Sequence, residues 1–345
     1  MSEKIRLLPP FDINFMTMSI SERKNYGLDM HNVPGAWLKT KGEGIRVAVI
    51  DTGLPVHRDL DSQVVASANF TDSPIKDLVV GHGSHCAGII CAIENDEGVV
   101  GIAPKAELII AKALGDDGSG SDDSLAKAID WCIEQGVHVI NMSLGAPASA
   151  EPYFSKTKAA VKRAYAKNIV IVCASGNEYA KEVGVPAKWD ECIAVGAVND
   201  KKQKADFSNS GSTLDFAASG VNIVSTFKNN SYASLSGTSM AAPQIAGIVA
   251  LILSEHRGDQ TGRRTPVNGP LDVMEHLKNI CIDLGESGFD KDYGFGLPVY
   301  GTIDDDFLEL PVEPPVEQPV EPPKPKPRKM SWNQFVEWVR SLNPF

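Results

Sequence analysis

The chain is short of several things, and each shortage narrows what it can be. Its first residues, Met1-Ser2-Glu3-Lys4-Ile5-Arg6-Leu7-Leu8-Pro9-Pro10-Phe11, hold no apolar core of roughly 7–15 residues such as a secretory signal carries, so a cytoplasmic location is expected. No apolar run reaches the length of a membrane span, and no membrane partner is expected. Basic residues are in deficit. Lys and Arg number 33 against 44 Asp and Glu, and a net charge of −11 argues against nucleic acid as the main partner. Cysteine is sparse: the six, at 86, 91, 132, 173, 192 and 281, suit buried positions in regular elements and not a disulfide framework. What remains is 345 residues, 43% hydrophobic, enough for one large α/β domain with appendages.

The most informative stretch is Gly237-Thr238-Ser239-Met240-Ala241-Ala242-Pro243. Gly237 frees the backbone to turn, and Ala241, Ala242, Ile245, Ala246, Val249 and Ala250 run on as a small-residue buried helix. A serine at that junction is either an ordinary N-cap or a nucleophile whose own N–H faces a developing oxyanion. Upstream, Ile45-Arg46-Val47-Ala48-Val49-Ile50 is a β-rich run ending at Asp51-Thr52-Gly53, where an acid could orient a base or merely shape a turn. Gly81-His82-Gly83-Ser84-His85-Cys86-Ala87-Gly88 offers two histidines three apart at the head of an apolar helix. One could be a base and the other structural. A metal pair on one helix face would more often use H-E-x-x-H, and the glutamate is missing. Cys173-Ala174-Ser175-Gly176-Asn177-Glu178 follows the strand Ile169-Val170-Ile171-Val172, and Asn177 is either a turn former or an amide donor aimed into a cleft. Asp, His, Asn and Ser thus each fall at an element end, and together they suit acyl transfer by an activated serine.

Between these landmarks strand-like and helix-like segments alternate. Leu108–Ala113, Val137–Met142 and Cys192–Val198 read as strands, and segments 123–135 and 156–167 as amphipathic helices. Such alternation predicts an α/β fold, a mostly parallel sheet with helices on both faces.

Taken together, Asp51-Thr52-Gly53, His82-Gly83-Ser84-His85-Cys86-Ala87-Gly88, Ser175-Gly176-Asn177 and Gly237-Thr238-Ser239-Met240-Ala241-Ala242-Pro243 resemble the motifs of the subtilisin-like serine proteases, the subtilases. The resemblance covers roughly residues 22–300. It implies a three-layer subtilisin-like domain and peptide hydrolysis through an acyl-enzyme. His82 would be the base, Asp51 its orienting acid, Ser239 the nucleophile, and Asn177 with the Ser239 N–H the oxyanion hole. It also implies that Asp117, Gly118, Ser119 and Gly120 on one side, and Ser143, Leu144 and Gly145 on the other, flank an extended peptide substrate. A structural Ca²⁺ is implied at Asp59 and Asn95 by side chain and at Ile93, Glu97 and Val99 by carbonyl, with Glu22 as a further ligand. The bland alternative there is an acidic surface loop. Three positions depart from the family pattern: Ser84, Ser219 and Gln244, where threonine, proline and histidine are usual.

The N-terminus resembles the inhibitory extension of the intracellular subtilisins, a bacterial branch of the family. The match is Leu7-Leu8-Pro9-Pro10-Phe11, and residues 1–20 are expected to block the cleft until cut, near Ile20-Ser21. Residues 21–305 would form the catalytic domain and 306–329 a proline-rich spacer. Residues 330–345 would form a short amphipathic helix, capped by Ser331 and Gln334, that binds an unknown partner. Intracellular relatives also suggest a homodimer. Two other readings stay open at this point: a catalytically silent scaffold, and a binding protein working through the C-terminal helix. A serine esterase would use the same chemistry.

Overall fold

The computed structural model describes residues 4–7, 13–16, 22, 24–54, 57–74, 80–179, 182–258 and 267–300. The expected cut near Ile20-Ser21, the spacer and the C-terminal helix lie outside the described residues. In chain order the elements are strands β1 (Ile5–Leu7) and β2 (Ile13–Met16), then helices α1 (Tyr26–Met30) and α2 (Val33–Ala36). There follow β3 (Arg46–Asp51), β4 (Val64–Asn69), α3 (His82–Cys91), β5 (Glu107–Lys112), β6 (Ser119–Gly120) and α4 (Asp122–Glu134). Next come β7 (Val139–Met142), β8 (Leu144–Gly145), α5 (Ser155–Ala166), β9 (Val170–Ala174) and β10 (Ile193–Val198). The rest are β11 (Phe216–Ser219), β12 (Ile223–Phe227), β13 (Ser231–Leu235), α6 (Thr238–Gly258), α7 (Pro270–Asn279), β14 (Cys281–Ile282) and β15 (Leu297–Pro298).

The β-branched runs assemble as expected, because each needs both faces covered. Seven strands form one sheet in the order β11-β10-β9-β7-β3-β5-β4, and every neighbouring pair is parallel. Alternate residues of β3 enter different cores. Val47 and Val49 pack with α3 and α6, whereas Ala48 and Ile50 pack with α4 and α5. This period-2 division is what makes three layers. Contrary to the expectation that no apolar run reaches the length of a span, helix α6 is apolar and long enough to cross a membrane by length and composition. It is nonetheless a core helix, buried on nearly all sides. All six cysteines are free thiols, five of them buried.

Strand order reverses at β3. The chain runs one way to β5 and β4 and the other way to β7, β9, β10 and β11. A crevice opens outside the carboxyl ends at such a switch point, and Asp51 is the last residue of β3. Among the described residues three smaller sheets accompany the large one: β6-β1-β8, β12-β13-β2 and the pair β14-β15. Two of the departures from the family pattern meet in the core, where a Cβ on Gly27 would lie 2.3 Å from Ser219 Oγ and 2.8 Å from Gln244 Nε2.

Candidate active site

Asp51 is buried at the end of β3, and its turn continues through Gly53 at φ +99°. Its Oδ1 accepts from the Thr52 N–H at 2.7 Å and from the Thr52 hydroxyl at 3.1 Å. Helix α3 begins at His82, after Gly81 at φ +76°, where a side chain would meet the Phe227 ring at 2.8 Å. That entry aims His82 at the carboxylate. Its Nδ1–H donates to Asp51 at 2.9 Å and 3.0 Å, while Nε2 is buried and without a hydrogen bond.

Burial alone would depress the His82 imidazolium, but the Asp51 carboxylate outweighs it and holds the pKa well above the ordinary value. Cys86 lies one turn on, with Sγ 3.8 Å from Nδ1. Burial pushes that thiol up, and after Asp51 it is the next group that raises His82. His85 is a different kind of residue. Its Nε2–H donates to the carbonyls of Ile223 and Ala233, both at 3.0 Å, and burial lowers its pKa to about 3. It ties α3 to the hairpin of β12 and β13, so the H-x-x-H spacing joins one polar and one structural imidazole.

Ser239 sits in the first turn of α6, at the end of the loop leading from β13. Its hydroxyl donates to the Ser143 carbonyl at 3.2 Å, and its own carbonyl accepts from the Ser143 hydroxyl at 2.8 Å and the Cys86 thiol at 3.5 Å. Asn177 follows β9, nearly buried. Its Oδ1 accepts from the Thr238 N–H at 2.9 Å and from the Thr238 hydroxyl at 2.8 Å. With the oxygen so engaged, the amide nitrogen faces the Gly237 side, where a Cβ would come within 3.1 Å of it.

The two expected edge strands lie on either side of a third. Strand β1 runs antiparallel to both, pairing Ile5 with Gly120 and Arg6 with Ser119 on one side, and Arg6 with Gly145 and Leu7 with Leu144 on the other. Leu7 N–H also donates to Gly118 at 3.0 Å. Ile5 and Leu7 are buried in the α4–α5 core, while Arg6 points out. The sequence reading began the match at Leu7. The paired segment starts two residues earlier, and residues 8–12 lie outside the described residues. A second stretch, β2, pairs with β13, matching Ile13 to Leu235 and Met16 to Tyr232.

Residues 42–296 match the family model for the subtilases. The chain belongs to the subtilase family. This subtilase is 40% identical over 263 residues to an intracellular serine protease of Paenibacillus polymyxa, covering 73% of this chain and 79% of that one. The major intracellular serine protease of Bacillus subtilis (strain 168) is 40% identical over 268 residues, with 74% and 82% covered. Subtilisin BL of Lederbergia lenta is 39% identical over 257 residues, with 74% and 89% covered. The subtilase is accordingly a subtilisin-type serine endopeptidase, and a parallel sheet flanked by helices is its fold.

The residues expected to hold calcium are linked by hydrogen bonds around Asp59 and Asn95. Asp59 is fully buried; its Oδ2 accepts from the Val99 N–H at 3.1 Å and the Tyr232 hydroxyl at 2.9 Å, while Oδ1 has no hydrogen-bond partner. The Ile93 N–H donates to the Asp59 carbonyl at 2.9 Å. Asn95 N–H donates to Glu22 Oε1, and Asn95 Oδ1 accepts from the Glu97 N–H, both at 3.0 Å. The Arg58 guanidinium lies 3.9 Å from Asp59 Oδ1 and 3.6 Å from Glu97. The buried carboxylate oxygen without a hydrogen bond is the feature here that suits a hard cation. Sequence reasoning missed Thr52 and Thr238, since a threonine beside a functional residue has no periodicity to betray it. Strand β1 did have a signal, the in-out-in alternation of Ile5, Arg6 and Leu7.

Proposed function

We propose that this subtilase is an intracellular endopeptidase held inactive by its own N-terminal segment, using Asp51, His82 and Ser239 as its triad. In this reading Ser239 Oγ leaves the Ser143 carbonyl, gives its proton to His82 Nε2 and attacks the scissile carbonyl. Asp51 keeps the proton on Nδ1 and stabilises the imidazolium that forms. The oxyanion rests on the Ser239 N–H and on Asn177 Nδ2. His82 then returns its proton to the leaving amine, and water hydrolyses the acyl-enzyme by the same route in reverse.

The observation that carries the autoinhibitory part is the position of β1, hydrogen-bonded between β6 and β8 where an extended substrate would add as a strand. Main-chain bonding on both edges, with Ile5 and Leu7 buried, gives the segment a large advantage over a free peptide, because tethering replaces association by an intramolecular step. Pro9 and Pro10 follow at once. A proline lacks an N–H and holds φ near −65°, which suits a segment that must occupy a cleft without being cut. The intracellular assignment is supported by the names of two relatives. A structural Ca²⁺ held by Asp59 and Asn95, with carbonyls of Ile93, Glu97 and Val99 and with Glu22, would brace the loop after α3 without touching the reaction.

The test is hydrolysis of unfolded casein by the wild type and by Ser239→Ala, each before and after removal of residues 1–20. Activity that appears on removal and is absent from Ser239→Ala is expected. Full activity with the N-terminus intact would defeat autoinhibition, and hydrolysis by Ser239→Ala would defeat the triad.

A further inference from the structure

Lys112 is one of two buried lysines among the described residues, the other being Lys228. The Lys112 side chain has no solvent exposure, although an ammonium is among the groups least tolerated inside a protein. It ends β5 directly opposite Asp51 in the parallel ladder. Its Nζ donates to the Thr52 carbonyl at 2.6 Å and to Asp116 Oδ1 at 3.0 Å. The Asp116 carboxylate is partly exposed, so the ion pair has its anion at the rim and its cation inside.

The partner at the inner end is what makes the placement mean something. Thr52 is the residue whose N–H and hydroxyl both hold Asp51 Oδ1. Its hydroxyl oxygen also accepts from the Gly83 N–H at 3.1 Å, in the first turn of α3. One residue further, the Gly53 carbonyl packs so close that a Cβ on Gly83 would lie 2.2 Å from it. The turn Asp51-Thr52-Gly53 is therefore gripped on one side by the start of α3 and on the other by the Lys112 ammonium. Removing the ammonium would take away the Nζ hydrogen bond to the Thr52 carbonyl and loosen the turn on that side.

We propose that Lys112 is a positioning residue for the Asp51–His82 pair. Through the Thr52 carbonyl it fixes the peptide that orients the carboxylate, and through Asp116 it ties that turn to the loop entering the substrate strand β6. The inference rests on the reading of Asp51 and His82 as catalytic, but its geometric part is measurable without that reading. An imidazole Nδ1–H bonded to a buried carboxylate gives a far-downfield proton resonance, which can be followed in the intact chain.

The experiment compares wild type with Lys112→Met, which keeps the apolar stem and removes the charge. Lys112→Gln, one bond too short to reach the Thr52 carbonyl, serves if the first variant does not fold. The downfield resonance should weaken or move in the folded variant. After the N-terminal segment has been cut in place, kcat on a peptide substrate should fall about 10–100-fold with KM changed less than about threefold, the size of effect that loss of a supporting partner has elsewhere. A folded variant with an unmoved resonance and wild-type kcat would overturn the proposal, because a purely stabilising lysine would lower the melting temperature and nothing else. Full hydrolysis by His82→Ala would overturn the catalytic reading instead, and the resonance would still report on Lys112.

Discussion

Arg6 pairs with Ser119 on one side and with Gly145 on the other, so one residue of the N-terminal strand closes both edges of the groove. Its neighbours Ile5 and Leu7 anchor that strand by burial. Leu7→Asp would place a carboxylate in the apolar core beside Leu144, a change that expels the strand and leaves the rest of the domain intact. The uncut variant should hydrolyse casein at a rate close to that of the cut wild type, while the uncut wild type stays near zero. Equal silence of both uncut proteins would show that the strand is not what blocks the site.

The link between Thr238 and Asn177 makes a graded prediction. Asn177→Ala should lower kcat by about 10²–10³-fold, a magnitude taken from the corresponding loss in subtilisin itself, with KM nearly unchanged. Thr238→Val keeps the amide but removes the hydroxyl that points it. The expected loss is roughly tenfold, in line with about 1–1.5 kcal/mol for one hydrogen bond. Steady-state kinetics on the double variant should show much less than the product of the two losses, since Thr238 acts through Asn177.

Activity should rise with pH later than an ordinary imidazole would allow. The base must be neutral, and Asp51 holds His82 well above its usual value, so the acid limb of kcat/KM lies on the alkaline side of about 6.5. Asp51→Asn removes that field and should bring the limb down, along with a large loss of kcat from the wrong tautomer. A limb at or below the ordinary imidazole value in the wild type would contradict the assignment of His82.

Stability should fall on mild acidification for a separate reason. Burial lowers His31 to about 4 and His85 to about 3, from 6.5 when unfolded. A group depressed in the fold contributes its full share above the unfolded value and loses it as pH drops toward the folded one. Between pH 6.5 and about 5 each histidine should therefore remove about 1.4 kcal/mol per pH unit once the unfolded state is protonated. Urea melts across that range would measure the slope, and His85→Gln should reduce it by one proton.

Chelation tests the corner around Asp59. EDTA should lower the melting temperature of the wild type, and added Ca²⁺ should restore it by mass action. In Asp59→Asn the Ca²⁺-dependent part of the melting temperature should vanish. An identical response in both proteins would remove Asp59 from the site.

Much of this protein was legible before any coordinates. The segments read as strands at 108–113, 137–142 and 192–198 appear as β5, β7 and β10, and those read as helices at 123–135 and 156–167 appear as α4 and α5. Boundaries moved by a residue or two, because hydrophobic periodicity marks the middle of an element better than its end. Asp51, His82, Asn177 and Ser239 could be singled out as candidates because each stands at a junction where glycine and a change of period announce a turn. The lysine at 112 was not, since a lysine at a strand end reads as solvated.

Sequence alone determined the alternation of elements, the family and the identity of the polar groups, since these depend on local patterns and on residue type. Tertiary structure decided which groups meet. Asp51 and His82 are 31 residues apart, Asn177 and Thr238 61, and Arg6 and Gly145 farther still; only the reversal at β3 and the packing of α3 and α6 bring them within hydrogen-bond distance. Distances of 2.9 Å cannot be encoded by periodicity. They follow from close packing of the layers, which leaves each buried polar atom few partners to choose from.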